Sequence, residues 1–209
     1  MRLDLVRYDD GVEDVSVFIL AGGRSSRMGA DKALLPFGKG NLLQLAVNNA
    51  KEISSNPIIV GAKERYSSYG DVIEDRFLRC GPLGGIHAAL CATHTDLNLV
   101  LSVDMPLMAV RFLRWLVILG ASGRELAIVP ELQGRLQPLC AVYRRSARCV
   151  VEHALKQGGF RVDQIFPLLP TRYVRDVELV AAGFSLSIFL NMNTPAEYEA
   201  VRKMQGNIR

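Results

Sequence analysis

The stretch "FILAGGRSSRMGADKALLPF", Phe18 to Phe37, decides how the chain folds. Val17 to Leu20 form a short, uninterrupted, β-rich apolar run that reads as a buried strand. Gly22 and Gly23 end it, because glycine turns sharply without a Cβ penalty. Arg24, Ser25, Ser26, Arg27, Gly29 and Lys32 follow. Small residues let backbone N–H groups face a ligand, and the cations suit phosphate oxygens. The stretch therefore reads as a polyphosphate site at a strand end. The plain alternative is a glycine-rich surface turn with solvated arginines. Neither common phosphate loop fits. The G-x-x-x-x-G-K-[ST] pattern fails because Ala30 follows Gly29, and "GGRSSRMG" does not supply G-x-G-x-x-G.

Outward from this stretch, strands alternate with helices. Strand one covers roughly 15–21, "KALLPF" is a short extended piece, and "GKGN" is a turn. Residues 42–53 carry Leu42, Leu43, Ala46, Val47, Ala50 and Ile53 at helical spacing. "NPIIVGA" and "DVIED" are strands. "GPLGGIHAALCAT" turns and becomes a helix, and "LNLVLSVD" is a buried strand ending at Asp104. Helices are expected at 110–119 and 147–157, with strands "ELAIVPEL" and "LQPLCAVY" between them. "SLSIFLNMN" reads as the last strand, and Thr194-Pro195-Ala196-Glu197 as a capping box opening the final helix. This order predicts an α/β fold: a single-domain, doubly wound sheet, mostly parallel with a mixed edge. Residues 1–14 are a polar lead-in, and 15–209 form one domain.

Composition sets outer bounds. The chain has 209 residues, 49% hydrophobic and 22% charged, with a net charge of +4 and a pI near 9.0. That suits an anionic small ligand. Lysines and arginines are scattered, so no nucleic-acid surface is expected. No apolar run is long enough to span a membrane, and the charged start contains no secretory signal, so the expected location is the cytoplasm. Cys80, Cys91, Cys140 and Cys149 contain no C-x-x-C pair and read as reduced packing residues. His87, His94 and His153 show no metal-ligand spacing, and the first and last are expected to face solvent or the core edge.

In an open α/β sheet, ligands bind at the carboxyl ends of the strands. Four polar positions fall there: Gly22 to Lys32, Asp75 after "VIE", Asp104 after "VLSV", and Asn191 with Asn193 in "FLNMNTP". Parallel strands would bring all four to one rim. Asp104 has two readings. It could cap the next helix, or it could hold Mg²⁺, which is typically bound by one or two carboxylates plus substrate phosphates. A cationic loop across the rim favours the metal.

These residues resemble a known family. "LAGGRSSRMGADK" is similar to the signature L-A-G-G-x-x-x-R-M-G-x-D-K of the molybdenum cofactor guanylyltransferases. "VIED", "GPLGGI", "SVDMP", "RLQPLCAVY" and "NMNTPAEYE" follow in that family's order, from about Val17 to Val201. Related cytidylyltransferases typically carry "LAAG" and "N-x-D-T-P", whereas "LAGG" and "NMNTP" look like the guanylyl branch. The resemblance implies a Rossmann-like nucleotidyltransferase fold, like that of the nucleotide-diphospho-sugar transferases. It also implies transfer of GMP from GTP to molybdenum-molybdopterin, with Mg²⁺ and release of pyrophosphate. Carried over by position, Leu20, Ala21 and Gly22, with Gly23 in the same loop, contact the nucleoside. Lys32 holds phosphates, Asp75 contacts the nucleotide, and Asp104 binds nucleotide and metal. Asn191 and Asn193 lie near the pterin. Where the family pattern has Asn, this chain has Gly61, which can offer the nucleotide backbone contacts only. Arg27 joins Lys32 and Asp104 as a catalytic candidate. Molybdoenzymes or cofactor-biosynthesis proteins are the implied recipients of the product. The rival readings are a nucleotidyltransferase for another acceptor, either the cytidylyl version of this step or a sugar phosphate, and a non-catalytic GTP-binding partner.

Overall fold

A computed structural model describes residues 14–22, 31–77 and 80–206. Gly23 and Arg27 lie outside the described residues. The apolar run seen in sequence is β1 (Val15–Leu20). Its side chains alternate: Val17 and Ile19 enter one core, Phe18 and Leu20 another. A strand buried on both sides needs helices on both faces of its sheet. Helices α1 (Leu42–Lys51) and α4 (Val110–Ser122) cover the first face. Helices α3 (Gly81–Ala92) and α5 (Arg148–Lys156) cover the second.

Strands β4 (Ile58–Val60), β5 (Val72–Ile73) and β6 (Leu97–Ser102) join β1 in the order β5-β4-β1-β6, all parallel. β1 and β6 pair from Val15↔Leu97 to Leu20↔Ser102. The carboxyl ends of these strands therefore share one edge of the sheet. A short hairpin, β2 (Pro36–Phe37) with β3 (Gly40–Asn41), leads into α1, whose first turn is capped by the Asn41 side chain. A one-turn helix, α2 (Lys63–Tyr66), follows β4.

The second half of the chain adds β7 (Ala127–Leu132), β8 (Arg135–Leu136), β9 (Cys140–Arg144) and β10 (Thr171–Arg175). The sheet is mostly parallel, and its mixed part is on this side, as expected. Two strands run antiparallel: the short β8 pairs with β7, and the longer β9 is not outermost. β9 runs between β6 and β7, antiparallel to both, and β10 forms the edge parallel to β7. Its place inside the sheet follows from its residues, since Cys140 to Tyr143 are all fully buried.

Three local expectations change. "KALLPF" is not extended throughout: Asp31 caps a 3-10 turn at Lys32–Leu34, accepting from the Ala33 amide, before β2 begins. "SLSIFLNMN" is not a strand. Ser185 caps a 3-10 turn at Leu186–Phe189 by accepting from the Ser187 amide, and Phe189 packs edge-on against Phe112 of α4. Between Gln157 and Phe184, where the sequence suggested no element, the chain forms a 3-10 turn (Val162–Leu168), β10 and α6 (Asp176–Ala181). The final helix α7 (Pro195–Gly206) opens with the expected box. The Thr194 hydroxyl accepts from the Glu197 amide, and the Glu197 carboxylate accepts from the Asn193 and Thr194 amides.

His87 turns inward rather than to solvent, buried against Phe77 and Cys91, and burial lowers its pKa. The four cysteines are free. Among the described residues no helix is long and apolar enough to cross a membrane.

Candidate active site

The shared strand edge carries two groups of polar residues. The first is built on Lys32. The Asp31-capped turn projects this side chain across the end of β6, where Nζ lies 3.3 Å from Asp104 Oδ2 and donates to Asn193 Oδ1 at 2.9 Å. Both ends of the Lys32–Asp104 pair are largely buried. Asp104 sits two residues beyond β6 and does not cap the next helix, because the residue preceding α4 is Ala109. The helix-cap reading of Asp104 is therefore excluded. Asn193 reaches the site although its segment is not a strand. The Met192 amide donates to the Asp104 carbonyl at 3.0 Å, and Met192 is buried. Asn191, on the other side of Met192, is partly exposed.

The second group is at the start of α3. Asp75, two residues past β5, is partly buried. A Cβ on Gly84 would lie 3.0 Å from both carboxylate oxygens, so a side chain there would press on Asp75. Asp75 Oδ1 has no hydrogen-bond partner among the described residues. Burial pushes the Asp75 carboxyl up to about 6, because desolvation disfavours the charged form. A partly buried, under-satisfied carboxylate with a raised pKa at a strand end marks a functional site better than a structural one.

Of the glycine stretch the structure describes Ala21 and Gly22, whose amides turn to the sheet. The Ala21 and Gly22 amides both donate to the Val60 carbonyl, at 3.0 and 3.3 Å, and so hold β1 to β4. The Leu20 side chain packs towards Gly85 in the core. Gly22 is exposed, with no Cβ to keep a ligand away. Gly61 has its amide committed to the Ile73 carbonyl at 2.9 Å. A Cβ on Gly61 would fall 2.8 Å from the Tyr66 ring. Glycine stands at 61 because an aromatic ring occupies the space that a side chain would need.

Two residues not singled out from the sequence belong here. Tyr66 is buried, and its hydroxyl lies 3.1 Å from the Ala21 carbonyl and 2.9 Å from Asp31 Oδ2. Asp31 also accepts from Arg65. The available signals were an Asp immediately before the lysine, and a lone aromatic in the charged run "AKERYSS".

Among the described residues no three His, Cys, Asp or Glu side chains gather as a closed metal cage. Asp104 as a single carboxylate suits a metal whose other ligands come from substrate and water.

Comparison with known proteins agrees with this geometry. The sequence profile of the MobA-like NTP transferase domain matches residues 17–166. A probable molybdenum cofactor guanylyltransferase of Pelotomaculum thermopropionicum is 35% identical over 193 residues, covering 91% of this chain and 93% of the relative. One from Carboxydothermus hydrogenoformans is 33% identical, covering 92% and 98%. The crystal structure of molybdopterin-guanine dinucleotide biosynthesis protein A from Archaeoglobus fulgidus superposes with a TM-score of 0.81 at 24% identity, covering 92% of this chain and 99% of that one. With its parallel strand ends and Lys32–Asp104 pair, the chain belongs to the MobA-like NTP transferase family and is a nucleotidyltransferase.

Proposed function

We propose that this protein transfers GMP from GTP to the terminal phosphate of molybdenum-molybdopterin, forming the guanine dinucleotide cofactor and releasing pyrophosphate. The observation that carries the reading is Lys32, held between Asp104 and Asn193 beside the end of parallel strand β6. The names of the relatives support GTP and molybdopterin as substrates.

The chemistry follows from charge. An oxygen of the acceptor phosphate attacks the α-phosphorus of GTP, a new P–O–P bond forms, and the bond to pyrophosphate breaks. A phosphate monoester loses its second proton near ~6 and is already mostly dianionic at neutral pH. No general base is needed, so histidine has no role to fill. The site's work is to hold two anions together and stabilise the charge that leaves with pyrophosphate. Lys32 supplies a mobile point charge for those oxygens, and Arg27, outside the described residues, is the second cation. Leu20, Ala21 and Gly22 lie against the nucleoside, Gly23, outside the described residues, is assigned to the same contact by its sequence position, and Asp75 accepts from the nucleotide. Asn191 and Asn193 face the pterin side. Asp104 would hold Mg²⁺, which when bound supplies positive charge to the phosphate oxygens.

Pyrophosphate release from each nucleoside triphosphate, with and without molybdenum-molybdopterin, tests the reading. Release from GTP that depends on the cofactor is expected. Preference for CTP, or for a sugar phosphate as acceptor, would replace it with a neighbouring activity. Nucleotide binding without turnover would indicate a binding partner.

A further inference from the structure

We propose that Tyr66 is a positioning residue for this reaction: its hydroxyl ties together Ala21 and Asp31, the residues that bracket the glycine-and-arginine stretch, and so fixes Lys32. The proposal rests on the nucleotidyltransferase reading above, and concerns a residue that contacts none of Lys32, Asp104 or Asn193 in the described hydrogen bonds. Ala21 directly follows β1, and Asp31 directly precedes the Lys32 turn. Ten positions separate them in sequence, yet one oxygen, Tyr66 Oη, lies 3.1 Å from the Ala21 carbonyl and 2.9 Å from Asp31 Oδ2.

A tyrosine buried only for packing needs one partner for its hydroxyl. This one faces two acceptors, and both flank the same stretch. Its single proton serves the carbonyl and the carboxylate in turn or together. Burial, reinforced by the Asp31 hydrogen bond, pushes the Tyr66 hydroxyl well above the ordinary tyrosine range, so it stays a donor. Asp31 Oδ1, also 3.1 Å from the tyrosine hydroxyl, accepts from the Ala33 amide at 3.1 Å, which closes the turn that carries Lys32. Arg65 pairs with the same carboxylate at 3.3 Å from a largely exposed position. The chain of contacts thus runs from Tyr66 through Asp31 to the Ala33 amide, in the same short turn that carries Lys32. Gly61 belongs to the same device, since any side chain there would displace the ring.

Tyr66→Phe removes the hydroxyl and keeps the ring on Gly61. A hydrogen bond to a charged group is worth about 1.5–3 kcal/mol, roughly ten- to a hundredfold. The expected result is a fall in kcat of that size, with GTP affinity changed less than about threefold. In a Lys32→Ala background the same change should cost almost nothing more, because Tyr66 acts through that lysine. Exchange of the Ala33 and Leu35 amides with solvent, followed by NMR, should speed up by about tenfold as the turn loosens. Asp31→Asn should reproduce both effects. Unchanged kcat with a lowered melting temperature would make Tyr66 a packing residue and overturn the proposal. So would a full additional loss in the Lys32→Ala background, or unaltered amide exchange. If the wild-type protein uses another nucleotide or acceptor, the guanylyl reading falls while the Tyr66 comparison is made on that reaction. If it turns over none, amide exchange still decides.

Discussion

Asp75 should make the protein less stable than it could be, and the cost should depend on pH. Its carboxyl is pushed up to about 6 by burial, whereas an unfolded chain holds an aspartate near ~3.9. Between those values the folded protein binds the extra proton, so stability falls as pH rises through the window. Below about pH 4 both states are protonated and the effect vanishes; above about pH 6 it is complete. Two pK units correspond to about 3 kcal/mol as an upper bound. Because Asp75 is only partly buried, screening reduces this to about 1–2 kcal/mol. Asp75→Asn keeps the shape and removes the buried charge. At pH 7.5 it should raise Tm by about 2–8 °C for a domain of this size. At pH 4 the two proteins should melt together. Turnover should fall at least about tenfold, the usual exchange of function for stability when a functional charge is removed. Scanning calorimetry at the two pH values is the assay. If Tm does not rise at pH 7.5, or rises equally at pH 4, the carboxylate is not held at an energetic cost, and the argument for Asp75 as a poised nucleotide contact is wrong.

Asp104→Asn should melt within a few degrees of wild type but lose about a hundredfold or more in turnover; near-normal Mg²⁺-dependent pyrophosphate release would remove Asp104 from the metal site. Lys32→Ala should depress kcat by about a hundredfold and GTP affinity by less than about tenfold, since a flexible cation acts most on charge that develops in the transition state; steady-state kinetics paired with calorimetric GTP titration separates the two. Asn193→Ala should raise the molybdopterin KM by about tenfold and leave the GTP Kd within about threefold. Equal losses for both substrates, together with a lower Tm, would mean that Asn193 serves only the turn into α7.

The sequence pointed to the candidate residues better than to the backbone that carries them. Val17 to Leu20 could be read as a doubly buried strand because an unbroken apolar run has few other places to go. Lys32 and Asp104 were legible as candidates because cations soon after a glycine pair, and a carboxylate just past a buried strand, need an explanation. The segment bearing Asn191 and Asn193 was not, because "SLSIFL" alternates like a strand, while its hydroxyl-capped turn and its contact with Phe112 depend on α4. β10 and α6 escaped for a similar reason: Tyr173, Val177 and Val180 stay exposed, which blurs any periodicity. Gly61 looked like a missing contact in sequence. Only the ring of Tyr66, five positions away, reveals it as a space kept clear.

The site also has an order of assembly. Lys32 and Asp104 are separated by 72 positions, but Lys32 and Asn193 by 161. β1, β4, β5 and β6 all precede Val103, so a growing polypeptide emerging amino end first can pair these strands while much of the chain is still unmade. The ammonium and the carboxylate can then meet early. Asn193 arrives only when the Met192 amide docks on the Asp104 carbonyl, after β7, β9 and β10 have been made. A nascent chain should thus gather its site in two stages, the proposed nucleotide contacts up to Asp104 first and the pterin-side asparagine after them.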